Sequence, residues 1–370
     1  MRFSDFVIIN PKMKLKRNSE YSYVDMEAIE PKIRYVRPSK AKKFKGGGSK
    51  FQSGDVLFAR ITPCLENGKI AQVVELEQEM GFGSTEFFVF RAKEEISTSS
   101  YIYYLTLTRE VRDIAEKSMT GASGRQRANI EAIKNIEVYT PSINVQNKIT
   151  NILTSLDDLI DINLKRIKLQ ENIILKIYHK FFSQFKTSDS KTFNNSNNWK
   201  KIKIKNLLKK ISPKKKIKKN EYLEEGSHPI IDQSKKFIAG YTNDLEAIYE
   251  TEEPLIVFGD HTRVIKFVDF PFARGADGTQ IICSNNKSID NIFLYYLLLN
   301  TNISNEYYAR HFKYLKMKEV YIPPQHLIEK FIEAAKPIRK NISNLIKTNE
   351  YIVKIKNLLL PKLLSGELEI

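Results

Sequence analysis

The chain has 370 residues, 42% of them hydrophobic and 28% charged, which fits two or three folded domains and excludes a disordered polymer. Its formal net charge is +17 and its pI about 9.5, so a polyanion is the first partner to consider, although a lysine-rich background composition gives the same number. The N-terminal MRFSDFVIINPKMKLKRN has neither a long apolar core nor a small-residue cleavage site, and no apolar run approaches the roughly 18 residues of a membrane span; the expectation is a soluble, cytoplasmic protein without a membrane partner.

In chain order, residues 51–92 hold short β-rich runs at Val56 to Ala59, Ile70 to Val74 and Phe87 to Phe90, separated by turn residues Asn67-Gly68, Gly81 and Gly83. An amphipathic segment follows near 100–117. The stretch from Thr120 to Asn129, TGASGRQRAN, is glycine-containing and donor-rich; it reads either as a loop that approaches a ligand or as a solvated turn before a strand. From about Asn144, a plausible N-cap, to Phe182, apolar residues recur at steps of three or four: Val145, Ile149, Ile152, Leu153, Leu156, Leu159, Ile160, Leu164 and Ile167, then Ile173, Ile174, Ile177 and Phe181. A helix of that length spans about 60 Å. Asp157, Asp158 and Asp161 are expected on its outer face, open to a partner.

Residues 187–198, TSDSKTFNNSNN, read as a linker. Eleven lysines between Lys200 and Lys219 either track phosphates or form a solvated face. Residues 254–283 repeat the β-rich style at Leu255 to Phe258, Val264 to Val268 and Gln280 to Ile282, and an amphipathic segment lies near 290–309. A second helix is expected from about Gln325 to Leu364, with Pro324 in its first turn, Pro337 as a local break or kink, and Gly366 at its end.

The second half restates the first. Glu137-Val138-Tyr139-Thr140-Pro141 returns 182 positions later as Glu319-Val320-Tyr321-Ile322-Pro323, and each copy precedes a long helix. Both globular halves read as α+β. The helices are too long for a compact core, so each stripe needs a partner: the other helix, as a coiled coil within the chain, or its own domain.

Catalytic signatures are not evident. Gly46-Gly47-Gly48-Ser49-Lys50 lacks the spacing of a phosphate-binding loop. Asp55, Glu66 and Lys69 are a loose nuclease constellation, and the run from Glu66 to Lys69 reads as a turn. Cys64 and Cys283 lie outside any Cys/His cluster, which argues against zinc. No cofactor is expected.

The run GDVLFARITPCLENGK from Gly54 to Lys69, with Gly83 to Phe87, resembles the first recognition domain of type I restriction-modification specificity subunits. Phe258 to Arg263 (FGDHTR) and Gly275 to Thr279 (GADGT) resemble another recognition-domain class of that family, and Leu358 to Glu367 (LLLPKLLSGE) resembles its usual ending. The resemblance covers nearly the whole chain and rests on the order of the parts. It implies two α+β target recognition domains joined by two long helices that form an antiparallel intramolecular coiled coil with a pseudo-two-fold repeat. The expected boundaries are 1–142 for the first domain, 143–186 for the first helix, 187–324 for the linker and second domain, and 325–370 for the second helix and tail.

The resemblance further implies a non-catalytic subunit that reads a split, asymmetric site on double-stranded DNA, one domain per half-site, and scaffolds methyltransferase and restriction subunits that carry the catalysis. Base edges are best read by Arg, Lys, Asn and Gln, with Ser and Thr assisting, and phosphates by Lys, Arg and backbone amides. On that chemistry the candidates are Arg60, Thr62, Lys69, Ser84, Arg125, Gln126 and Arg127 in the first half, and His261, Thr262, Arg263, Arg274, Arg310, His311 and Lys313 in the second. The histidines could equally hold structural hydrogen bonds. Asp55, Glu86, Asp260 and Asp277 are expected to brace turns and loops. A stand-alone nuclease and a sequence-blind basic nucleic-acid binder are the competing readings.

Overall fold

A computed structural model describes residues 1–38, 40–182, 199–209, 211–250, 252–275, 277–303 and 310–368. The linker expected at 187–198 and the end of the 290–309 segment lie outside the described residues. The chain divides into two compact units, Met1–Arg166 with Leu345–Ile370, and Ile167–Asn344. Each unit therefore takes one globular domain and part of each long helix.

The first unit contains α1 (Phe3–Phe6), β1 (Val7–Ile9), β2 (Glu20–Val24), β3 (Tyr35–Val36), β4 (Lys40–Lys43), β5 (Ser49–Gln52), β6 (Val56–Ala59), β7 (Ile70–Val73), β8 (Met80–Gly83), β9 (Phe87–Ala92), α2 (Ser99–Thr106), α3 (Arg109–Lys117), α4 (Ile130–Lys134) and the start of α5 (Ile143–Phe182). A five-stranded sheet runs β1-β9-β6-β7-β3 and a four-stranded sheet β4-β2-β8-β5. The continuous apolar runs of β6 and β9 are explained by burial on both faces. Val56, Phe58, Phe88 and Phe90 enter one core with α2 and the long helices. Leu57, Phe87 and Val89 enter another with Val24 and Phe51 of the second sheet. That alternation is the two-residue period of a strand.

The second unit contains β10 (Lys200–Lys203), β11 (Leu208–Lys209), β12 (His228–Ile231), β13 (Gly240–Thr242), β14 (Ile248–Tyr249), β15 (Leu255–Gly259), β16 (Ile265–Val268), β17 (Phe272–Arg274), β18 (Thr279–Ser284), α6 (Asn291–Leu299), α7 (His311–Met317), β19 (Glu319–Ile322) and the start of α8 (Gln325–Leu364). Its four-stranded sheets run β11-β18-β15-β16 and β13-β12-β17-β14, and β10 pairs with β19 alone. The repeated pentapeptide has a structural role in both units. Glu319 to Ile322 pair antiparallel with Lys203 to Lys200. In the first unit Glu137 bridges to Arg2, and the Val138 N–H donates to Met1 O at 2.9 Å. Each domain thus closes its end on its beginning immediately before a long helix.

The helices span the expected segments, and both alternatives for their stripes hold at once. In the first unit Ile149 and Leu153 of α5 share a core with Leu363 and Leu364 of α8 and with the domain's own Tyr101 and Tyr104. Pairings there are antiparallel: Asn163 bonds Asn349, and Asp157 bonds Lys356. In the second unit Glu171 pairs with Arg339, and Tyr178 meets Phe331, again antiparallel. Several local expectations change. The helix starts at Ile143, where Gln146 N–H reaches Ser142 O, rather than after an Asn144 cap. α8 runs unbroken through Pro337 and ends at Leu364, before Gly366 with φ +77°. Ile152, Leu159 and Leu164, expected in the buried stripe, are exposed.

Of the three aspartates expected to face outward, Asp158 is exposed, whereas Asp157 is buried and Asp161 half-buried. Asp157 is buried and accepts from Tyr104 Oη at 2.7 Å and from Lys356 at 2.5 Å. Asp158 accepts from Tyr35 Oη at 2.7 Å, and Asp161 takes both ends of Arg37 at 2.9 Å. The partners of Asp157 and Asp161 lie on the domain and on α8, so domain attachment accounts for these two, while Asp158 combines its bond to Tyr35 with exposure to solvent.

Arg34 is the centre of that attachment. It is buried and donates to Gln72, Ser100, Tyr104 and Thr154 at 2.5–3.1 Å. Arg34→Ala leaves those acceptors without a donor in a dry site and is expected to destabilise the protein by about 3–5 kcal/mol, read as a fall in the urea midpoint. A loss below about 1 kcal/mol would show that the network contributes little.

Candidate nucleic-acid interface

In the first unit the loop from Thr120 to Arg127 folds back on itself. Thr120 and Arg127 exchange backbone bonds at 2.9 and 3.0 Å, and Arg127 also bridges Ile61. Gly121 and Gly124, at φ +125° and +76°, supply the left-handed turns that other residues avoid. The tip from Gly121 to Arg125 is exposed, and the loop leads into α4 rather than a strand. Thr62 fixes it from below: its Oγ1 accepts from Gln126 N–H, and its own N–H donates to Gln126 O, both at 3.0 Å.

Glu86 ties this loop to the sheet. It accepts from Arg127 Nη2 at 2.8 Å and Arg60 Nε at 3.3 Å. The Arg127 hydrogen bond, with that of Arg60, holds its carboxyl below the ordinary glutamate range against the opposing effect of burial. Ser84 Oγ accepts from Glu86 N–H at 3.2 Å. Arg60 also borders a cleft of about 390 Å³ lined by Asn10 to Met13, Gly48 to Lys50, Thr85 and Phe87 to Val89. Arg60, Thr62, Ser84, Gln126 and Arg127 are therefore brought together, with Arg125 at the exposed tip. Lys69 is turned elsewhere and donates to Met26 O at 2.6 Å.

The sequence reading missed the neighbouring basic face. Register places Lys40 opposite Tyr23, Tyr23 opposite Phe82, and Phe82 opposite Lys50, so these share one face of the four-stranded sheet. Lys42 lies 3.6 Å from the Tyr23 ring centre. All four residues of β4 are exposed, and so are Lys12, Lys14, Lys16 and Arg17. Two lysine runs interleaved with apolar residues, KMKLKR and KAKKFK, were the available signal.

The suggested nuclease triad does not converge. The Asp55 carboxylate is buried against Arg91 at 2.7 and 2.8 Å, Lys69 is bound as above, and Glu66 is exposed. Among the described residues no group of three His, Cys, Asp or Glu could hold a metal ion.

In the second unit Asp260 organises the site. It is buried, its Oδ1 accepts from Phe312 N–H at 2.8 Å, its carbonyl accepts from His311 N–H at 3.0 Å, and its own N–H donates to Gly278 O at 2.6 Å. One residue thereby joins the turn after β15, the turn before β18 and the start of α7. Gln233 makes the other cross-links: it accepts from His261 N–H at 3.1 Å and Thr262 Oγ1 at 2.6 Å, and donates to Asp277 O at 2.8 Å. Asp277 pairs with Lys216 and is further lowered by the charges of Arg274 and Arg310. His261, Thr262, Arg263, Arg310 and Lys313 are exposed, Arg274 is half-buried, and His311 is buried with Nδ1 unpartnered among the described residues. The seven second-half candidates thus gather in one place. Of the lysine run, Lys201, Lys215 and Lys216 are in ion pairs, most others are exposed, and Lys210 lies outside the described residues.

Two α+β domains, each built on packed sheets and followed by a 40-residue helix that pairs antiparallel with its counterpart, define the class. Residues 2–171 match the family model of the type I restriction modification DNA specificity domain. The chain is 26% identical over 304 residues to the type I restriction enzyme MjaIX specificity subunit of Methanocaldococcus jannaschii, covering 74% of this chain and 69% of that one. It is 31% identical over 157 residues to the EcoAI specificity subunit of Escherichia coli, but this match spans 41% of this chain and 27% of the relative. A type I restriction-modification S subunit from M. genitalium has the same fold, with a TM-score of 0.50 at 16% identity over 98% of this chain and 95% of that one. The resemblance read from the sequence motifs is correct.

Lys266 supports the second site from beneath. It is buried and donates to the carbonyls of Asp232, Lys236 and Phe237, fixing the loop that carries Gln233. Burial pushes its ammonium down to about 8 from an ordinary 10.5, against the attraction of Asp232. The unfolded chain then holds this proton more tightly, so its contribution to stability is lowest below about pH 8 and rises as pH climbs toward 10.5. Lys266→Met should flatten the pH dependence of the denaturation midpoint in that window. Identical slopes for the two proteins would contradict this.

Proposed function

We propose that this chain is the DNA-reading subunit of a type I restriction-modification complex, with no catalytic centre of its own. Each domain reads one half of a split, asymmetric site on double-stranded DNA. The observation that carries this reading is that each unit gathers its donors at one loop cluster, and the two clusters differ in chemistry. The first offers Arg60, Arg125, Gln126 and Arg127 beside a lysine face; the second offers His261, Arg263, Arg310 and Lys313 around Asp260 and Gln233. Unlike donors address unlike base edges, so the half-sites differ. The net charge of +17 supplies the phosphate attraction that any such reader needs.

Methyltransferase and restriction subunits dock on this chain and perform methylation and cleavage. Supporting this, Ile152, Leu159 and Ile162 on α5 and Tyr351, Ile355 and Leu358 on α8 are exposed, at spacings that make apolar stripes on surfaces not covered by the domains. The subunit works in the cytoplasm beside its DNA, requires no cofactor, and has no membrane partner; no helix among the described residues is long and apolar enough to cross a membrane.

Selection of purified chain against a random duplex library tests this. Enrichment of a two-part motif with unlike halves and an unread gap is the expected result. Sequence-blind enrichment, or cleavage by the chain alone with Mg²⁺, would overturn it. Arg125→Ala and Arg263→Ala should each relax base preference in a different half-site at a cost of about 1–3 kcal/mol. Lys12→Ala and Lys42→Ala should weaken all sequences alike, each lowering the salt slope by about 1, measured by fluorescence anisotropy across a salt series.

A further inference from the structure

α5 and α8 are two copies of one helix. Each has 40 residues, and α8 begins and ends 182 positions after α5, the offset of the repeated pentapeptide. Under that offset Asp157 of α5 corresponds to Arg339 of α8. In the first unit Asp157 pairs with Lys356 on the opposite helix, with both side chains under 5% exposed. In the second unit Arg339 pairs with Glu171. Equivalent positions thus carry opposite charges, and their partners do too. A third pair, Asn163 with Asn349 at 2.8 Å, has the apolar equivalents Leu345 and Ile167.

These identities decide which helix can pair with which. If α5 met a second α5 in the same geometry, Ile174 would replace Lys356 opposite Asp157, and Asp157 would replace Arg339 opposite Glu171. Two acids would face each other, and Asn163 would face Ile167. If α8 met a second α8, Arg339 would replace Asp157 opposite Lys356, setting two cations together, and Asn349 would face Leu345. Buried like charges and unpaired amides are strongly disfavoured, whereas a matched buried pair selects partner and register.

We propose that these three pairs, each with at least one buried member, form a recognition code under which a half carrying α5 accepts only a half carrying α8, from its own chain or from a second copy, and never its own kind. The partner that fits α5 is a helix presenting cations at the places of Lys356 and Arg339. This stands apart from DNA reading and can fail without it.

The test uses the full chain with a protease site placed within residues 183–198 and cut after purification. Two differently tagged cut proteins are mixed, diluted and reconcentrated, and the complexes are weighed by native mass spectrometry. Only unlike pairs of halves, one of each, are expected. A first half with Asp157→Lys and Glu171→Lys should hold the unchanged second half about tenfold more weakly or worse, and recover with Lys356→Asp and Arg339→Glu. Like pairs as abundant as unlike ones, or a reversed first half that keeps the unchanged partner, would overturn the proposal. In the uncut chain, Lys356→Asp should lower the unfolding midpoint and added Asp157→Lys should restore part of it, the bond from Tyr104 to Asp157 being lost; a double variant less stable than Lys356→Asp alone would also overturn it.

Discussion

Each unit is assembled around a carboxylate on α5 that is shared between a tyrosine of the domain and a cation of α8. Asp157 takes Tyr104 of α2 and Lys356; Glu171 takes Tyr296 of α6 and Arg339. A buried carboxylate such as Asp157 missing either partner costs several kcal/mol, and half-buried Glu171 is held by the same kind of partners, so within each unit domain, first helix and second helix meet at one point. The tyrosines are paired edge-on with their neighbours, Tyr103 and Tyr295, at 5.1 and 4.9 Å, and the helices that carry them pack against their domains' sheets. Through these two contacts the helix pair fixes the position of each sheet and, in turn, of the loops at its edge.

The loops are then held by a second tier of carboxylates. Glu86 sets two arginines of the first cluster, and Asp260 joins three segments in the second. In both units the acid positions basic side chains without neutralising the whole cluster, since Arg125 in one and Arg263, Arg310 and Lys313 in the other stay exposed. That arrangement suits the proposed readers: phosphates are drawn by the surplus charge, while braced donors keep a fixed spacing against base edges.

Much of the architecture was legible because it is periodic or repeated. The stripes from Val145 and from Leu327 follow the helical period, the pentapeptide returns before each helix, and the strands at Val56 and Leu255 are short β-branched and aromatic runs between turn residues. Asp157 and Asp161 were misread because charge defaults to solvent, and their partners, Arg37, Tyr104 and Lys356, lie far away in sequence with nothing local to announce them; Asp158 is exposed as its charge suggests. The apolar residues Ile152 and Leu159 were misread for the converse reason, since a wide stripe does not say which edge is covered. Fourteen donors chosen on chemistry mostly fell into the two clusters, yet Lys69 is held by a backbone carbonyl, and the lysine face beside the first cluster was visible in composition but not in register.

The most direct test is the methylome of a host carrying an active type I methyltransferase subunit, with and without this chain. The account predicts a new methylated motif that requires the chain and consists of two unlike halves around unread base pairs. Identical methylomes, with the methyltransferase demonstrably active, would contradict it.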